Sequence, residues 1–501
     1  MSTDRRQLLS GYVIRGSEEM ISDDFAQRLG YAFALVMAEK KQTTTDKLTV
    51  AVGHDARPSG KRIMRALIDG ITAADSDIYD CGLATTPAIQ MCIYMPEIAA
   101  DGSIMVTGGS ADEGINGFKF FTADGIFSAE EAAALYELAQ HVKVPHRLVE
   151  KLDVFEIYKK RLRDHVFEFM GTDVAMPLLG LKVIVDASNG SAGFFADFLS
   201  SLGADTTGSI NLEPTGKFGF GAPKLEQSES LKALCAKVLE SGADLGVIFD
   251  GDGDSVAIVD ANGKVINRNR LIALVAAIML EDEKDLTFVT DSVTSSGLSR
   301  FITEWGGTHY RYKRGYRNII DEARKMSEEG CKVPVAMETS GHAAMQENNF
   351  IDDGMYLATK VICEAMWRKR DGLTLFSLID DLQDPCETLE VRLPIVQEDY
   401  KTAAGYVIEG LLSKTLSNPE WRLASDNREG VRIMFTLGGK VDCAWFMLRL
   451  SAHDPVIVVN AESEVEGGLA YITKQLYEEL ARDNEELDLS PLRAKIDQLS
   501  K

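Results

Sequence analysis

Strand-like and helix-like segments alternate along the first 370 residues of this chain, with roughly 30 residues to a unit. An apolar run at 48–53 is followed by an amphipathic segment at 61–73, and the same order returns at 182–203. Parallel strands need a crossover connection, usually a helix, so this alternation predicts parallel α/β layers. After Asp384 several strand-like runs cluster together, which predicts an α+β layout instead.

The length of 501 residues suggests three or four domains. Three α/β cycles followed by one α+β region divide the chain in the same way. The expected fold class is therefore α/β, with three α/β/α domains that have mixed sheets and a C-terminal α+β domain. The expected boundaries are 1–148, 149–266, 267–384 and 385–501.

An acidic loop follows the apolar run Leu245–Phe249, which reads as a buried strand. Asp250, Asp252 and Asp254 occupy every second position, and glycines alternate with them. Three carboxylates in one loop repel each other unless a cation lies among them, and hard oxygen ligands suit Mg²⁺. A solvated acidic turn is the alternative, but it has no need of interleaved glycines. An EF-hand fits less well, because its twelfth position is Ala261 rather than glutamate.

The charge and the apolar pattern exclude several classes of protein. A net charge of −24 argues against nucleic acid as a partner, although a locally basic pocket could still bind a small anion. No run approaches the ~18 apolar residues of a membrane span, and the N-terminus has no secretion signal. The seven scattered cysteines include no CxxC pair. We expect a cytoplasmic protein, with the acidic stretch 478–488 as a solvated helix end.

Four further segments carry residues typical of a binding site. They are GHDARPSG at 53–60, TGGSADEGINGFK at 107–119, ETSGH at 338–342 and RLSAHDP at 449–455. In this order, together with the aspartate loop, they resemble the α-D-phosphohexomutase superfamily, which includes phosphoglucomutase, phosphomannomutase and phosphoglucosamine mutase. The resemblance covers nearly the whole chain.

The resemblance implies a fold and a reaction. Three related α/β domains and a fourth domain would surround a central cleft and supply a phosphoserine loop, a Mg²⁺ loop, a sugar-binding loop and a phosphate-binding loop. The implied enzyme is an intramolecular phosphotransferase that moves phosphate between the 1 and 6 positions of a glucose- or mannose-type hexose phosphate through a phosphoenzyme. Mg²⁺ would be the cofactor, hexose 1,6-bisphosphate the activator, and the protein a monomer or homodimer.

Catalytic and metal roles follow from matching positions. Asp250, Asp252 and Asp254 would hold Mg²⁺. Arg15 matches the N-terminal arginine that reaches the active site, and Lys119 matches a candidate general acid or base. An exposed strand position is the alternative for Lys119. Arg57 and Ser59 would have architectural roles near the phosphoserine loop.

Substrate-binding roles are implied for a second set of residues. Glu338 and Ser340 offer acceptors for adjacent sugar hydroxyls, with Ser340 as the cap of a following helix as the alternative. His342 would either contact substrate or pack. Arg449, with Ser451 and the amides of 451–454, would form a cationic nest for phosphate, the alternative for Arg449 being a surface ion pair. The basic turn Lys313, Arg314 and Tyr316 would lie near the substrate.

The chain departs from the family pattern at two places. Gly109 occupies the position of the phosphate-carrying serine, with Ser110 next to it, and Ser255 replaces the arginine that follows the third aspartate. In one interpretation Ser110 is the phosphate acceptor after a local shift of the loop. In another the protein is catalytically degenerate and binds sugar phosphates as a sensor or regulatory partner. A third interpretation is a phosphatase that passes phosphate to water.

Overall fold

The computed structural model divides the chain into two compact units, which are described separately below. The first contains Met1–Leu271 and Ser340–Ser377, and the second contains Ile272–Thr339 and Leu378–Lys501. No helix among the described residues has the length and apolar character needed to cross a membrane. The structure describes residues 8–144, 150–171, 174–218, 225, 229–266, 268–415, 418–451, 454–483 and 486–499.

A mixed eight-stranded sheet opens the first unit. Its strands are β1 (Leu9–Ser10), β2 (Val13–Ser17), β3 (Thr49–His54), β4 (Asp77–Leu83), β5 (Gly102–Val106), β6 (Ile115–Thr122), β7 (Gly125–Ile126) and β8 (Glu150–Lys151). The order is β1-β2-β6-β5-β3-β4-β8, with β7 paired to β6. β3 runs parallel to β4 and β5, whereas β6 is antiparallel to β5 and β2. The loop 107–114 therefore connects two neighbouring strands.

Five helices accompany this sheet along the chain, and the first two pack closely on each other. They are α1 (Asp23–Lys40), α2 (Gly60–Ala73), α3 (Thr86–Met91), α4 (Ala129–Ala139) and α5 (Val154–Met170). α1 and α2 touch backbone to backbone, because a Cβ at Gly30 would lie 2.1 Å from the carbonyl oxygen of Leu67. Ser22 caps α1 by accepting a hydrogen bond from the Phe25 amide at 3.2 Å.

A second mixed sheet in the first unit positions the acidic loop. Its strands are β9 (Val183–Asp186), β10 (Leu245–Phe249), β11 (Val256–Asp260) and β12 (Val265–Ile266), and its helices are α6 (Phe194–Ser201) and α7 (Glu229–Ser241). The order is β12-β11-β10-β9, with β9 parallel to β10 and the other pairs antiparallel. β10 is buried along its whole length, and Phe249 pairs with Val256. The residues between these two positions form a tight hairpin loop.

The second unit begins with a parallel α/β segment. It contains α8 (Asn269–Asp282), which spans the boundary between the units along the chain, β13 (Thr287–Asp291), α9 (Ser296–Glu304), β14 (Thr308–Tyr312), α10 (Tyr316–Glu328) and β15 (Val335–Met337). β13 is parallel to both β14 and β15. Its buried residues Phe288 and Val289 form the centre of this layer.

Residues 340–377 complete the first unit. They form the antiparallel pair β16 (Ala343–Met345) and β17 (Ile351–Asp352), followed by α11 (Gly354–Arg370). Asp353 caps α11 by accepting hydrogen bonds from the amides of Met355 and Tyr356. The same buried carboxylate accepts a hydrogen bond from the Tyr158 hydroxyl of α5 at 2.7 Å.

Asp353 is expected to stabilise the protein as the pH falls from 7 to 5. Burial raises the pKa of its carboxyl to about 6 from the ordinary 3.8. This contribution is fully present below pH 3.8 and is lost as the pH rises through 6. Between pH 7 and 5 the folded state takes up a proton that the unfolded chain does not bind, which adds about 1 kcal/mol to the free energy of unfolding. Denaturant titrations at both pH values should show this gain for the wild-type protein and not for Asp353→Asn. If the free energy of unfolding changes by the same amount between pH 7 and 5 in both proteins, the prediction is wrong.

An antiparallel sheet with helices closes the second unit. Its strands are β18 (Glu387–Pro394), β19 (Arg422–Leu423), β20 (Val431–Leu437), β21 (Lys440–Leu450) and β22 (Val456–Ser463), in the order β18-β22-β21-β20-β19, and its helices are α12 (Tyr400–Thr415), α13 (Gly468–Asp483) and α14 (Ser490–Leu499). The stretch 478–488 is only partly a solvated helix end. α13 ends at Asp483, and Leu487 is buried in the core of this sheet.

Polar contacts connect the α/β segment of the second unit to the antiparallel sheet. The Ser292 hydroxyl donates to Glu429 at 2.5 Å. Arg432 donates to the carbonyl oxygens of Ser292 and Thr294 at 2.9 and 3.0 Å, and its guanidinium lies 3.7 Å from the centre of the Trp445 ring. Because Arg432 is buried and held on two sides, these two parts of the second unit form one compact body.

Candidate functional site

The aspartate loop between β10 and β11 forms a buried carboxylate cluster. Oxygen atoms of Asp250, Asp252 and Asp254 lie within 4.8 Å of one another, and all three residues are almost fully buried. Oδ1 of Asp250 accepts hydrogen bonds from the amides of Gly253 and Ser255 at 3.2 and 3.3 Å, which fixes the turn. Gly253 has φ +78°, a conformation that favours glycine.

The cluster fits a hard divalent cation. Oδ1 of Asp252 and Oδ1 of Asp254 are buried and have no hydrogen-bond partner among the residues that the structure describes. A buried carboxylate oxygen is costly unless it meets a donor or a cation. Three carboxylates with two oxygens in this state are the donor set that Mg²⁺ prefers.

Lys119 lies against the same carboxylates. It is a buried residue of β6, and its Nζ donates to Oδ2 of Asp254 at 2.6 Å and to Oδ2 of Asp252 at 3.0 Å. The alternative of an exposed strand position is therefore right about the strand and wrong about the exposure. Lys119 therefore supplies positive charge and a transferable proton beside the metal loop.

The three carboxyl groups differ in their affinity for protons. Burial, then Asp254 and Asp252, raises the pKa of Asp250 well above its ordinary value. Burial would also raise the pKa of Asp252, but Lys119 and the hydroxyl of Thr86 outweigh it and hold the pKa below the ordinary value. Cation binding at this cluster therefore favours the ionised form of Asp250 and competes with its protonation.

The loop 107–114 is held in place by Arg57. Its buried guanidinium donates to the carbonyl oxygens of Gly109 and Ala111 at 2.8 Å, and to those of Asp112 and Ile115 at 2.7 and 2.9 Å. Its Nε donates to Asp55 at 3.0 Å. Burial raises the pKa of Asp55 to about 6. Through these hydrogen bonds Arg57 would fulfil the architectural role expected for it.

Gly109 and Ser110 differ in their surroundings. Gly109 is buried, with φ +56°, and a Cβ built on it would lie 4.0 Å from Oδ1 of Asp252. Ser110 is exposed. Nη1 of Arg15, from β2, donates to the carbonyl oxygen of Gly108 at 3.2 Å. The position that faces the metal loop in this conformation is thus 109, and Ser110 lies beside it on the solvent side.

Two residues of this site were missed by the sequence reasoning. The buried Thr86, at the start of α3, donates from its hydroxyl to Oδ2 of Asp252 at 2.5 Å and from its amide to the Asp252 carbonyl oxygen at 3.0 Å. Asp352 lies 2.6 Å from Nδ1 of His342. The imidazole of His342 therefore lies close to the carboxylates of Asp352 and Asp254. Ser340, two residues before it, is half-buried.

The segment 338–342 connects two strands, because β15 ends at Met337 and β16 begins at Ala343. The alternative in which Ser340 caps a following helix is therefore wrong. Within the second unit Glu338 accepts a hydrogen bond from the Gly315 amide at 2.6 Å. The basic turn at 313–316 is thereby adjacent to Glu338, and Lys313 in it is exposed.

Arg449 is a buried guanidinium at the end of β21 in the second unit. Its Nε has no hydrogen-bond partner within the described part of the chain. Burial, then the neighbouring Arg314, lowers the pKa of Arg449. Two cations close together are a typical arrangement for binding phosphate. Because Arg449 is buried, the alternative of a surface ion pair is wrong.

The neighbouring loop is described only in part. Ser451 is half-buried, its amide donates to the Val456 carbonyl oxygen at 3.0 Å, and its hydroxyl accepts from the Asp454 amide at 3.3 Å. Positions 452 and 453, which belong to the expected amide nest, lie outside the described residues. The nest itself stays a prediction.

Sequence comparisons place these features among known proteins. Models of the phosphoglucomutase/phosphomannomutase family match residues 6–144 as α/β/α domain I, 164–263 as domain II and 267–385 as domain III. A phosphomannomutase/phosphoglucomutase of Pseudomonas aeruginosa is 30% identical over 84% of this chain and 85% of its own length. One from Pseudomonas syringae pv. tomato is 28% identical over 96% of this chain and 97% of its own.

A solved structure has the same fold. It is a phosphoglucomutase/phosphomannomutase family protein of Burkholderia thailandensis, with a TM-score of 0.78 and 24% identity. The match covers 96% of this chain and 99% of that one. The expected fold class of three α/β/α domains with mixed sheets and a β-rich C-terminal domain is confirmed.

Proposed function

Because the chain belongs to the phosphoglucomutase/phosphomannomutase family of the α-D-phosphohexomutase superfamily, we propose that it moves phosphate between the 1 and 6 positions of a glucose- or mannose-type hexose phosphate. Relatives named phosphomannomutase/phosphoglucomutase that align over most of the chain support this substrate class. The observation that carries the proposal is the buried carboxylate cluster with Lys119 directly against it.

Mg²⁺ is the cation proposed for Asp250, Asp252 and Asp254. Three hard oxygen donors, two of them with a buried oxygen that lacks a hydrogen-bond partner in the described structure, support this choice. When bound, Mg²⁺ neutralises negative charge on a transferring phosphoryl group. Arg15 and Arg57 hold the adjacent loop through its carbonyl oxygens.

Ser110 is the proposed phosphate carrier, and Lys119 the proposed acid and base. A phosphoryl group on Oγ of Ser110 passes to the free hydroxyl of a hexose monophosphate. The P–O bond to Ser110 breaks as a bond to the sugar oxygen forms. The Lys119 ammonium gives a proton to the leaving Ser110 oxygen and takes the proton of the sugar hydroxyl in return. The bisphosphate then returns its other phosphate to Ser110, and the same proton exchange runs in reverse through Lys119. Phosphate is conserved in the cycle, so hexose 1,6-bisphosphate would act as an activator that loads the loop.

Substrate-binding roles are proposed for the residues to which the family resemblance assigns them. In the second unit the pair Arg449 and Arg314 supplies positive charge for the non-reacting phosphate. Ser451 and Lys313 are close to these two arginines in the sequence and would contribute to substrate binding. Glu338 offers a carboxylate to sugar hydroxyls. In the first unit Ser340 and His342 offer a hydroxyl and an imidazole. Their contribution is measurable as a rise in KM with less effect on kcat.

Mass spectrometry of the loop peptide 107–119 tests the proposal. The protein is incubated with Mg²⁺ and glucose 1,6-bisphosphate, with an EDTA-treated sample as the control. Phosphate on Ser110, together with isomerisation of glucose 1-phosphate or mannose 1-phosphate, is the expected result. A loop that stays unmodified while neither sugar phosphate is isomerised would overturn the mutase.

A second candidate function is binding of sugar phosphates without turnover. It is favoured by Gly109, which faces Asp252 without a hydroxyl, and by the exposure of Ser110. In that case hexose phosphates raise the melting temperature of the protein while no isomer accumulates. Steady release of inorganic phosphate would instead identify a phosphatase.

A further inference from the structure

A second group of metal-ligating side chains lies beside the aspartate loop in the first unit. Nδ1 of His342 lies 2.6 Å from Oδ2 of Asp352 and 3.7 Å from Oδ1 of Asp254. The ligand atoms of the three residues are within 4.8 Å of one another. The two carboxylates are buried and the imidazole is half-buried, so an ion could enter from the imidazole side.

Asp254 presents its two oxygens to different neighbours. Oδ2 accepts from Lys119 at 2.6 Å, whereas Oδ1 is the atom near His342. Oδ1 is buried and has no hydrogen-bond partner among the described residues. A cation on that side would compensate for the water that this oxygen has lost.

Backbone hydrogen bonds orient Asp352 and the segment before His342. Oδ1 of Asp352 accepts from the Ala343 amide at 3.0 Å, which orients the carboxylate and leaves Oδ2 towards His342. The Val256 amide donates to the Gly341 carbonyl oxygen at 3.2 Å, so the segment before His342 is tied to β11. Gly341 has φ +97°, and a Cβ on it would lie 2.4 Å from the Val256 carbonyl oxygen, so this close approach requires glycine.

We propose that Asp254, His342 and Asp352 bind a second divalent cation of the first-row transition series, such as Mn²⁺, and that Asp254 is shared with the Mg²⁺ loop. An imidazole with two carboxylates suits Mn²⁺ or Zn²⁺ better than Mg²⁺, which prefers oxygen ligands alone. The ion enters between Nδ1 and Oδ2 and replaces the proton that they share, which is released to solvent. The site goes beyond the proposed mutase activity and does not depend on turnover.

Counting bound Mn²⁺ in the metal-stripped full chain tests this site. Electron paramagnetic resonance titration should find two ions per chain, and electron spin echo measurements should show coupling to an imidazole nitrogen. In excess Mg²⁺ one Mn²⁺ should remain, with that coupling. His342→Ala should lose the nitrogen coupling and the second ion but keep the first. Asp352→Asn should lower the affinity for the second ion about 10-fold or more.

His141→Ala, which changes an exposed histidine just after α4, is the matched control and should keep both ions. Circular dichroism confirms that each variant is folded, and His342→Gln serves if His342→Ala is not. One ion per chain without nitrogen coupling in the wild-type protein would overturn the proposal, as would a second ion that survives both His342 variants. Neither result bears on whether the loop 107–119 is phosphorylated.

Discussion

Replacing Ser110 with alanine is expected to abolish both the phosphoenzyme and the isomerisation of hexose phosphates. Loss of a nucleophile that forms a covalent intermediate costs roughly 10³-fold or more in kcat. Ser110 is exposed, so the change should leave the melting temperature within experimental error of the wild type. Ser201→Ala, which changes another exposed serine, is the control and should keep full activity.

Gly109→Ser in the Ser110→Ala background should restore phosphorylation, now at position 109. The Cβ of the new residue would lie 4.0 Å from Oδ1 of Asp252, with open space otherwise. The left-handed φ of +56° costs a non-glycine residue about 1 kcal/mol, which a domain with this core can absorb. Peptide mass spectrometry locates the phosphate, and a coupled assay measures turnover.

These two variants separate the explanations of the unusual loop. If Ser110→Ala retains wild-type turnover, Ser110 is not the carrier. If the double variant remains unphosphorylated, the loop does not direct position 109 at the transferring phosphoryl group. Recovery in the double variant alone, from an inactive wild-type protein, would identify the chain as a binding protein that lost its carrier.

Asp252→Asn should greatly weaken the binding of Mg²⁺. The variant removes one of the three carboxylates and leaves an amide whose NH₂ group faces cations, so we expect a loss of about 100-fold in Mg²⁺ affinity. It also removes a partner of Lys119 and of Thr86. Titration of bound Mg²⁺ by calorimetry, and of Mg²⁺-dependent turnover, measures the change.

Asp260→Asn is the matched control for this experiment. Asp260 is buried at the end of β11, and its Oδ1 accepts from the amides of Asn262 and Lys264 at 2.8 Å. An asparagine oxygen can accept the same bonds, so the Mg²⁺ titration should not change. An Asp252→Asn protein whose Mg²⁺ affinity equals that of the control would remove the basis for the metal loop.

Local patterns in the chain predict those parts of the site whose residues are neighbours in sequence. The aspartates at every second position after an apolar strand predict their own convergence, because one hairpin loop carries all of them. The order of motifs predicts the family, which the comparisons confirm. The burial of Lys119 was not predictable, since the strand β6 is buried along most of its length and no longer alternates between faces.

Contacts across long sequence separations were out of reach. Thr86 and Asp252 are 166 residues apart, and nothing near Thr86 marks it as more than a residue at a helix start. Asp352 precedes Asp353, and only the fold shows that the first contacts His342 whereas the second caps α11. The strand that follows Ser340 is short and alanine-rich, which is why a helix capped by Ser340 was a reasonable alternative there.

The way in which Arg57 binds the loop at 107–114 bears on how such a loop evolves. Its guanidinium donates hydrogen bonds to backbone carbonyl oxygens of the loop, which every residue has, rather than to particular side chains of the loop. The path of the loop therefore depends little on the side chains at positions 110 to 112, and position 109 favours glycine only through its left-handed backbone. A lineage could exchange the side chains that perform the chemistry, in either direction, and keep the same scaffold folded throughout.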